Sequence, residues 1–151
     1  MQKLFLTLLL LFFSTFQSTT VNGNSYQYEP EKNELALYAL SLEGTPYKYG
    51  GSSPDTGFDC SGFVGHVFKQ SMGKLLPRSS AEISRIGSQL KVNELMPGDL
   101  VFYNTLRKRN SHVGIYLGEG QFIHSPSTGR FVSIENMNES IGLNAITAHA
   151  V

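Results

Sequence analysis

The 151-residue sequence contains no tryptophan and a single cysteine, Cys60. One thiol cannot close an internal disulfide, and the CxxC pairs that hold structural zinc are absent. The sequence also has no net charge, because 12 Lys and Arg residues are matched by 12 Asp and Glu residues. No long basic stretch occurs. A near-neutral chain of this kind gives no support for nucleic-acid binding.

The long apolar run of the sequence lies at its beginning. Lys3 precedes an apolar segment from Leu4 to Phe13, after which small and polar residues follow. This order is typical of a secretory signal peptide, and the run is about half of the roughly 20 residues that cross a bilayer. An uncleaved anchor is the weaker alternative. We therefore expect a leader over residues 1–23 and one domain over residues 24–151, exported to the periplasm or the extracellular space without a membrane anchor.

Apolar residues at intervals of three and four predict two main helices. The first starts near Pro30 and ends before Gly44. The second starts at Cys60, with Asp59 or Ser61 as its N-cap, and ends at the glycine of "SMG". A cysteine at a helix start lies among unpaired backbone N–H groups, which favour the thiolate over the thiol. Since a free cysteine can equally be a small buried hydrophobe, its neighbours must decide.

The remaining sequence changes from helical to strand patterns. Ser79 and Glu82 have the spacing of a capping box and predict a short third helix that ends near Gly87. Strands are predicted for "MPGDLVFY", "HVGIYLG", "QFIHSPS" and "GRFVSIENM". Helices followed by strands predict an α+β fold, in which the N-terminal helices pack on one face of a central antiparallel meander.

Two histidines come together if the segment "GEG" forms a three-residue hairpin turn. The resulting register places Gly114 opposite His124, with His112 one diagonal step away. Such a diagonal pair has Cα atoms roughly 7 to 8 Å apart, and the glycine adds no side chain between the imidazoles. The sequence therefore predicts a hydrogen bond between His112 and His124. The other two histidines, His66 and His149, are assigned no role.

Thiol catalysis needs a nucleophile, a base and an orienting group, and these three roles are matched by Cys60, His112 and His124, respectively. Cys60 would attack a carbonyl, His112 would hold the thiol proton and return it to the leaving amine, and His124 would orient His112. An alternative is a zinc site in which the same three side chains and a water are the ligands. The lack of a close-spaced ligand pair argues against zinc.

Six segments resemble motifs of the NlpC family of bacterial cell-wall cysteine peptidases, which have a papain-like fold. They lie between about Gly44 and Met137 and are "GTPYKYGG", "FDCSGFV", "LPRSS", "MPGDLVFY", "HVGIYLG" and "FIHSPSTG". The resemblance implies a cysteine endopeptidase that hydrolyses peptide bonds in peptidoglycan stem peptides, commonly between D-glutamate and meso-diaminopimelate. No metal or organic cofactor is implied.

The resemblance places the family's nucleophile, base and third polar residue at the three residues above, and it assigns further roles nearby. Tyr47 falls at the position of a tyrosine that contributes to the oxyanion site, although it could instead pack on the sheet. Asp59 and Ser61 fall where family members hold the amino end of the substrate, and both are also candidate caps. Arg78 corresponds to an arginine near the cleft. The basic loop 106–110 is expected at one end of the groove.

Other functions stay open at this point. A different bond, such as the D-alanyl to diaminopimelate crosslink, or the chemistry of an acyl transferase or amidase, would keep the same three residues. A non-catalytic envelope protein that only binds stem peptides is the alternative outside enzymes. We expect a monomer whose partners are peptidoglycan stem peptides and not nucleic acids.

Overall fold

A computed structural model of the chain describes residues 30–105, 108–138 and 144–151. The expected leader, residues 1–23, lies outside these ranges. Within them, no helix has the length and apolarity needed to cross a membrane.

The helices lie close to their predicted positions. They are α1 (Pro30–Ser41), α2 (Cys60–Met72) and α3 (Ser80–Ile83). The side chain of Asp59 caps α2 by accepting a hydrogen bond from the backbone N–H of Gly62, and Gly73 ends the helix in the left-handed conformation with φ 65°. The capping box predicted for α3 is present, but that helix ends at Ile83 and so is shorter than expected.

Eight strands are present in the described part of the chain. They are β1 (Ser52–Ser53), β2 (Gly57–Phe58), β3 (Ser88–Leu90), β4 (Leu100–Thr105), β5 (Lys108–Gly118), β6 (Gln121–His124), β7 (Ser133–Asn136) and β8 (Asn144–Ala150). β1 and β2 form a small hairpin, and the other six form one antiparallel sheet in the order β3-β8-β4-β5-β6-β7. A 3₁₀ turn at Val92–Glu94 connects β3 to β4.

The predicted meander describes only part of this sheet. Strands β4 to β7 are neighbours in chain order, as predicted, but β8 returns from the C-terminal end to pair with β4, and β3 pairs with β8 at the sheet edge. The sequence analysis did not predict β3 or β8. Neither strand has a strong alternation of apolar and polar residues, and their pairing partners are distant in the sequence.

The sheet has two different faces because successive strand residues alternate. On one face, Leu35 of α1 and Phe63 of α2 are fully buried in a cluster with strand residues such as Ile115. The helices therefore cover one face, as the α+β prediction requires. The second face carries a smaller buried cluster formed by Val101, Tyr103, Phe122 and Met137. Tyr103 pairs with His112 across β4 and β5, which places His112 on this second face.

Candidate active site

The position of Cys60 is set by a tight contact between a glycine-rich loop and the start of α2. The carbonyl of Gly51 accepts a hydrogen bond from the backbone N–H of Asp59, at 3.1 Å. Gly62 lies against that same carbonyl, and a Cβ atom there would clash with it. Glycine is therefore required for the loop to pack on the helix. Cys60, the first residue of α2, is left half-buried.

A groove of about 900 Å³ opens beside Cys60. Its lining includes six of the seven predicted site residues, which are Tyr47, Asp59, Cys60, Ser61, Arg78 and His112. Lys108, from the predicted basic loop, lines it as well, whereas residues 106 and 107 lie outside the described ranges. The volume is within the range of sites that hold small ligands or short peptides.

His124 is the seventh predicted residue, and it lies against His112. His112 Nε2 and His124 Nδ1 are 2.6 Å apart, and the two rings are nearly perpendicular, at 84°. The residues are 6% and 3% exposed, respectively. A Cβ atom at Gly114 would come within 3.2 Å of His124 Cβ and 2.7 Å of Phe122 Cδ2. The predicted hydrogen bond between the histidines is thus present, and it depends on the missing side chain of Gly114.

The hairpin turn that aligns the histidines differs from the prediction. Gly118 pairs with Gln121 across a two-residue turn of Glu119 and Gly120, which both have positive φ angles. The predicted three-residue turn is therefore wrong. A bulge between Tyr116 and Gly118 takes up the extra residue, so the register farther along the hairpin is the predicted one.

Arg78, Asp59 and Ser61 form a hydrogen-bonded cluster next to Cys60. Arg78 donates to both carboxylate oxygens of Asp59, at 2.9 and 2.7 Å, and to the hydroxyl of Ser61 at 2.9 Å. Backbone N–H groups of Gly50 and Gly62 also donate to Asp59. The Asp59 carboxylate thus accepts hydrogen bonds from Arg78 and from two backbone N–H groups.

The charge state of this cluster follows from its contacts. Burial alone would raise the pKa of Asp59, but the hydrogen bonds from Arg78 and Gly62 outweigh it, so the pKa is lowered. Arg78 keeps half of its side chain exposed, at 51%. The cluster therefore presents a fixed guanidinium to the groove.

The pKa shifts favour a neutral resting pair of Cys60 and His112. Burial and the Asp59 carboxylate raise the pKa of the Cys60 thiol, and the backbone N–H groups of Val113 and Ser61 lower it by less. Burial, together with the neighbouring His124, lowers the pKa of His112. The backbone N–H groups at the helix start favour the thiolate, as expected, but burial and the adjacent carboxylate outweigh them, so the net shift of the pKa is upward.

Tyr47 lines the same groove as Cys60 and Asp59. Its backbone N–H donates to the carbonyl of Arg130, at 2.9 Å. Burial, then the nearby Cys60 and Asp59, raises the pKa of Tyr47, so its hydroxyl stays protonated and can donate a hydrogen bond. The groove that contains Cys60 is therefore also lined by a neutral hydroxyl donor.

Two residues near the histidines were missed by the sequence analysis. Glu135 Oε1 lies 3.3 Å from His124 Nε2 and 2.6 Å from Arg130 Nη2. Glu135 lies on β7, opposite Phe122 of β6. The alternation of "SIEN" could have placed Glu135 on the face of His124 only if the register between these strands had been known.

The zinc alternative finds no support in the geometry. Across the ranges that the structure describes, no group of three or more His, Cys, Asp or Glu side chains is placed to hold a metal ion. His112 Nε2 and His124 Nδ1 are directed at each other, so neither of these nitrogens points at a shared site for an ion.

The fold and the groove define a papain-like α+β protein, with a cysteine at the start of α2 and a histidine pair on β5 and β6. A model of the NlpC/P60 family matches residues 44–150. The chain belongs to the NlpC/P60 family. Among solved structures, the NlpC/p60 domain of the peptidoglycan hydrolase SagA is similar, with 31% identity and a TM-score of 0.71, over 80% of this chain and 98% of that one.

Curated relatives include proteins from two bacteria. Murein DD-endopeptidase MepH of Escherichia coli is 43% identical over 99 residues, which are 64% of this chain and 36% of the relative. Gamma-DL-glutamyl hydrolase of Bacillus subtilis is 41% identical over 105 residues, 69% of this chain and 25% of the relative. The chain therefore spans only about a quarter to a third of the length of these two proteins.

Proposed function

We propose that the protein is an exported, monomeric cysteine endopeptidase that hydrolyses peptide bonds in peptidoglycan stem peptides, in the periplasm or outside the cell. The observation that carries this proposal is the placement of Cys60 and His112 in one groove, with His112 hydrogen-bonded to His124. Membership of the NlpC/P60 family and the printed activities of its relatives point to the same substrate.

The proposed reaction has two steps. Cys60 Sγ attacks the scissile carbonyl while its proton passes to His112 Nδ1, because His112 Nε2 is occupied by His124. The C–N bond breaks, His112 gives the proton to the leaving amine, and a thioester remains. Water then loses a proton to His112 and hydrolyses the thioester, which releases a carboxylic acid and restores the thiol. The backbone N–H of Cys60 and the Tyr47 hydroxyl stabilise the oxyanion.

For the bond cleaved, we propose D-glutamyl to meso-diaminopimelate. A D-glutamate that is linked through its side-chain carboxyl keeps a free α-carboxylate close to the scissile bond. Arg78 lines the groove next to Cys60 and is half-exposed, and we assign it to bind this carboxylate. Asp59 then holds Arg78 in place, and Ser61 completes the cluster. D-Alanine on the acyl side of a crosslink offers Arg78 no such carboxylate.

The second candidate is cleavage of the D-alanyl to diaminopimelate crosslink. The similarity to the murein DD-endopeptidase MepH, at 43% identity, favours this candidate. The two bonds give products of different mass, so one digest distinguishes them.

The test is a digest of purified sacculi and defined muropeptides, with mass spectrometry of the products. We expect cleavage after D-glutamate with the wild-type protein and none with Cys60→Ala, whose folding is checked by circular dichroism. Release of monomers from crosslinked dimers would instead identify the second candidate. Identical products from both proteins would exclude the thiol mechanism. The absence of products from both, together with binding of stem peptides, would favour a non-catalytic function.

A further inference from the structure

Glu135 occupies a position from which it can act on the histidine pair. β6 and β7 pair so that His124 faces Ser133 and Phe122 faces Glu135, which places Glu135 on the same face of the sheet as His124. Its side chain is only 25% exposed. Glu135 is therefore a partly buried carboxylate on the side of His124 that lies away from His112.

Among the residues that the structure describes, Glu135 is the carboxylate that pairs with the second ring nitrogen of His124. His124 Nε2 is buried and makes no hydrogen bond of standard geometry to any residue in the described ranges. Glu135 Oε1 lies 3.3 Å from it. An ionised carboxylate can only accept hydrogen bonds, whereas a neutral imidazole nitrogen can be either donor or acceptor. The arrangement is therefore favourable when His124 Nε2 carries the proton.

The protonation of one ring fixes that of the next. If neutral His124 carries its proton on Nε2, its Nδ1 is a lone pair, and the 2.6 Å contact requires His112 Nε2 to be the donor. His112 Nδ1 is then a lone pair, free to accept the thiol proton. We propose that Glu135 is a positioning residue that selects these tautomers of His124 and His112 and so keeps the base of the proposed peptidase in its proton-accepting form. The inference rests on the proposed function.

The other tautomer shows why this selection matters. If His124 held its proton on Nδ1, that group would donate to His112 Nε2, and His112 would carry its own proton on Nδ1. The heavy atoms could keep the same positions, but the nitrogen meant to accept the thiol proton would already be protonated. Without the negative charge of Glu135, this electrostatic preference for a proton on His124 Nε2 is lost. The same logic applies to the third residue of serine-protease triads, which holds its histidine in one tautomer.

Arg130 weakens the effect of the Glu135 carboxylate on the pKa of His124. Its guanidinium donates to the same oxygen, Glu135 Oε1, that faces His124. Burial lowers the pKa of His124, Glu135 raises it, and Arg130 lowers it again. His124 thus stays neutral next to a carboxylate. This is necessary because a fully protonated His124 would donate from Nδ1 and force His112 into the wrong tautomer.

The experiment compares Glu135→Gln and Glu135→Ala with the wild-type protein, and Glu34→Gln serves as a matched control because Glu34 is exposed on α1. The ring protonation of His112 and His124 is read by nitrogen NMR of histidine-labelled protein at pH 8. Turnover of a defined muropeptide gives kcat and KM. In the wild type and the control, both rings should be protonated at Nε2. In the Glu135 variants we expect the other tautomer to appear and kcat to fall by about tenfold or more with KM unchanged.

Arg130→Gln separates this role from a structural ion pair. The variant removes the cation but keeps the carboxylate, so the Nε2 tautomers should remain at pH 8. Unchanged tautomers in both Glu135 variants would overturn the proposal, whatever happens to kcat. Equal losses of folding stability in the Arg130 and Glu135 variants, without a change of tautomer, would also overturn it. If neither the wild-type protein nor any variant cleaves a muropeptide but the tautomers shift as expected, the proposed function fails. The effect of Glu135 on the histidines is then still supported.

Discussion

Lowering the pH from 7 to 5 should destabilise the fold through His112. In the folded protein, burial and the neighbouring His124 lower the pKa of His112 from 6.5 to about 3. In the unfolded chain the imidazole returns to its ordinary value, so at pH 5 the unfolded state binds a proton that the folded state does not. Stability is therefore fully present above about pH 6.5 and is lost as the pH falls from there towards the folded-state value.

The size of the stability loss follows from the pH interval between the ordinary pKa of His112 and its lowered pKa in the folded protein. Each pH unit below 6.5 costs about 1.4 kcal/mol per histidine until the folded-state pKa is reached. At pH 5 the loss from His112 alone is on the order of 2 kcal/mol. The pKa of His124 is also lowered, mainly by burial, and its contribution has the same sign. The carboxylates with lowered pKa values, such as Glu135, contribute mainly below pH 5, so the range between pH 7 and 5 isolates the histidines.

The assay is urea unfolding at both pH values of the wild-type protein and of His112→Gln, which has no titratable group at this position. The free energy of unfolding of the wild type should fall between pH 7 and 5 by about 2 kcal/mol more than that of the variant, with similar m values. The variant starts from a lower stability, but only the difference between the two pH values is compared. An equal loss in both proteins would refute the burial of a neutral His112.

Further predictions concern single positions. Gly114→Ala should destabilise the fold by about 1 to 3 kcal/mol, because the added Cβ would overlap Phe122. The same substitution should also lower peptidase activity by displacing His124. Gly65→Ala, where a Cβ meets nothing within 4 Å, is the control and should retain activity. Arg78→Gln should lower kcat/KM about tenfold or more for muropeptides cleaved after D-glutamate, and less for D-alanyl crosslinks, in mass-spectrometric kinetics. Alkylation of Cys60 by iodoacetamide should be slow at pH 6 and should accelerate up to at least pH 9; a rate already constant below pH 7 would contradict the raised thiol pKa.

The part of the site that the sequence predicts is the part that depends on local rules. The start of α2 at Cys60 follows from the capping residue and the helical spacing of apolar residues. The contact between His112 and His124 follows from the alternation of strand residues and from a hairpin with few connecting residues. Even a wrong turn length left the histidine register correct, because the bulge beside Tyr116 compensated for it.

The features that the sequence did not predict depend on contacts between distant segments. β8 pairs with β4 and β3, and no turn signature connects it to either strand. The contact of Glu135 with His124 requires the register between β6 and β7, whose connection spans residues 125–132 without a standard hairpin motif. The sign of the pKa shift at Cys60 depends on how deeply the thiol is buried, a quantity that the position at a helix start does not provide.

A protonated thiol at rest is consistent with the proposed export of the protein. The thiolate is the form of cysteine that oxidises and alkylates, so a raised pKa of Cys60 would slow oxidation of the proposed nucleophile in an oxidising compartment. Asp59 contributes to that protection and, through the same carboxylate, holds Arg78 in the groove. Catalysis then requires that the thiol proton have one available acceptor, which is the free nitrogen of His112. The tautomer that we propose Glu135 to select makes that nitrogen available, so a thiol that is protonated at rest can still be activated when a substrate carbonyl lies beside it.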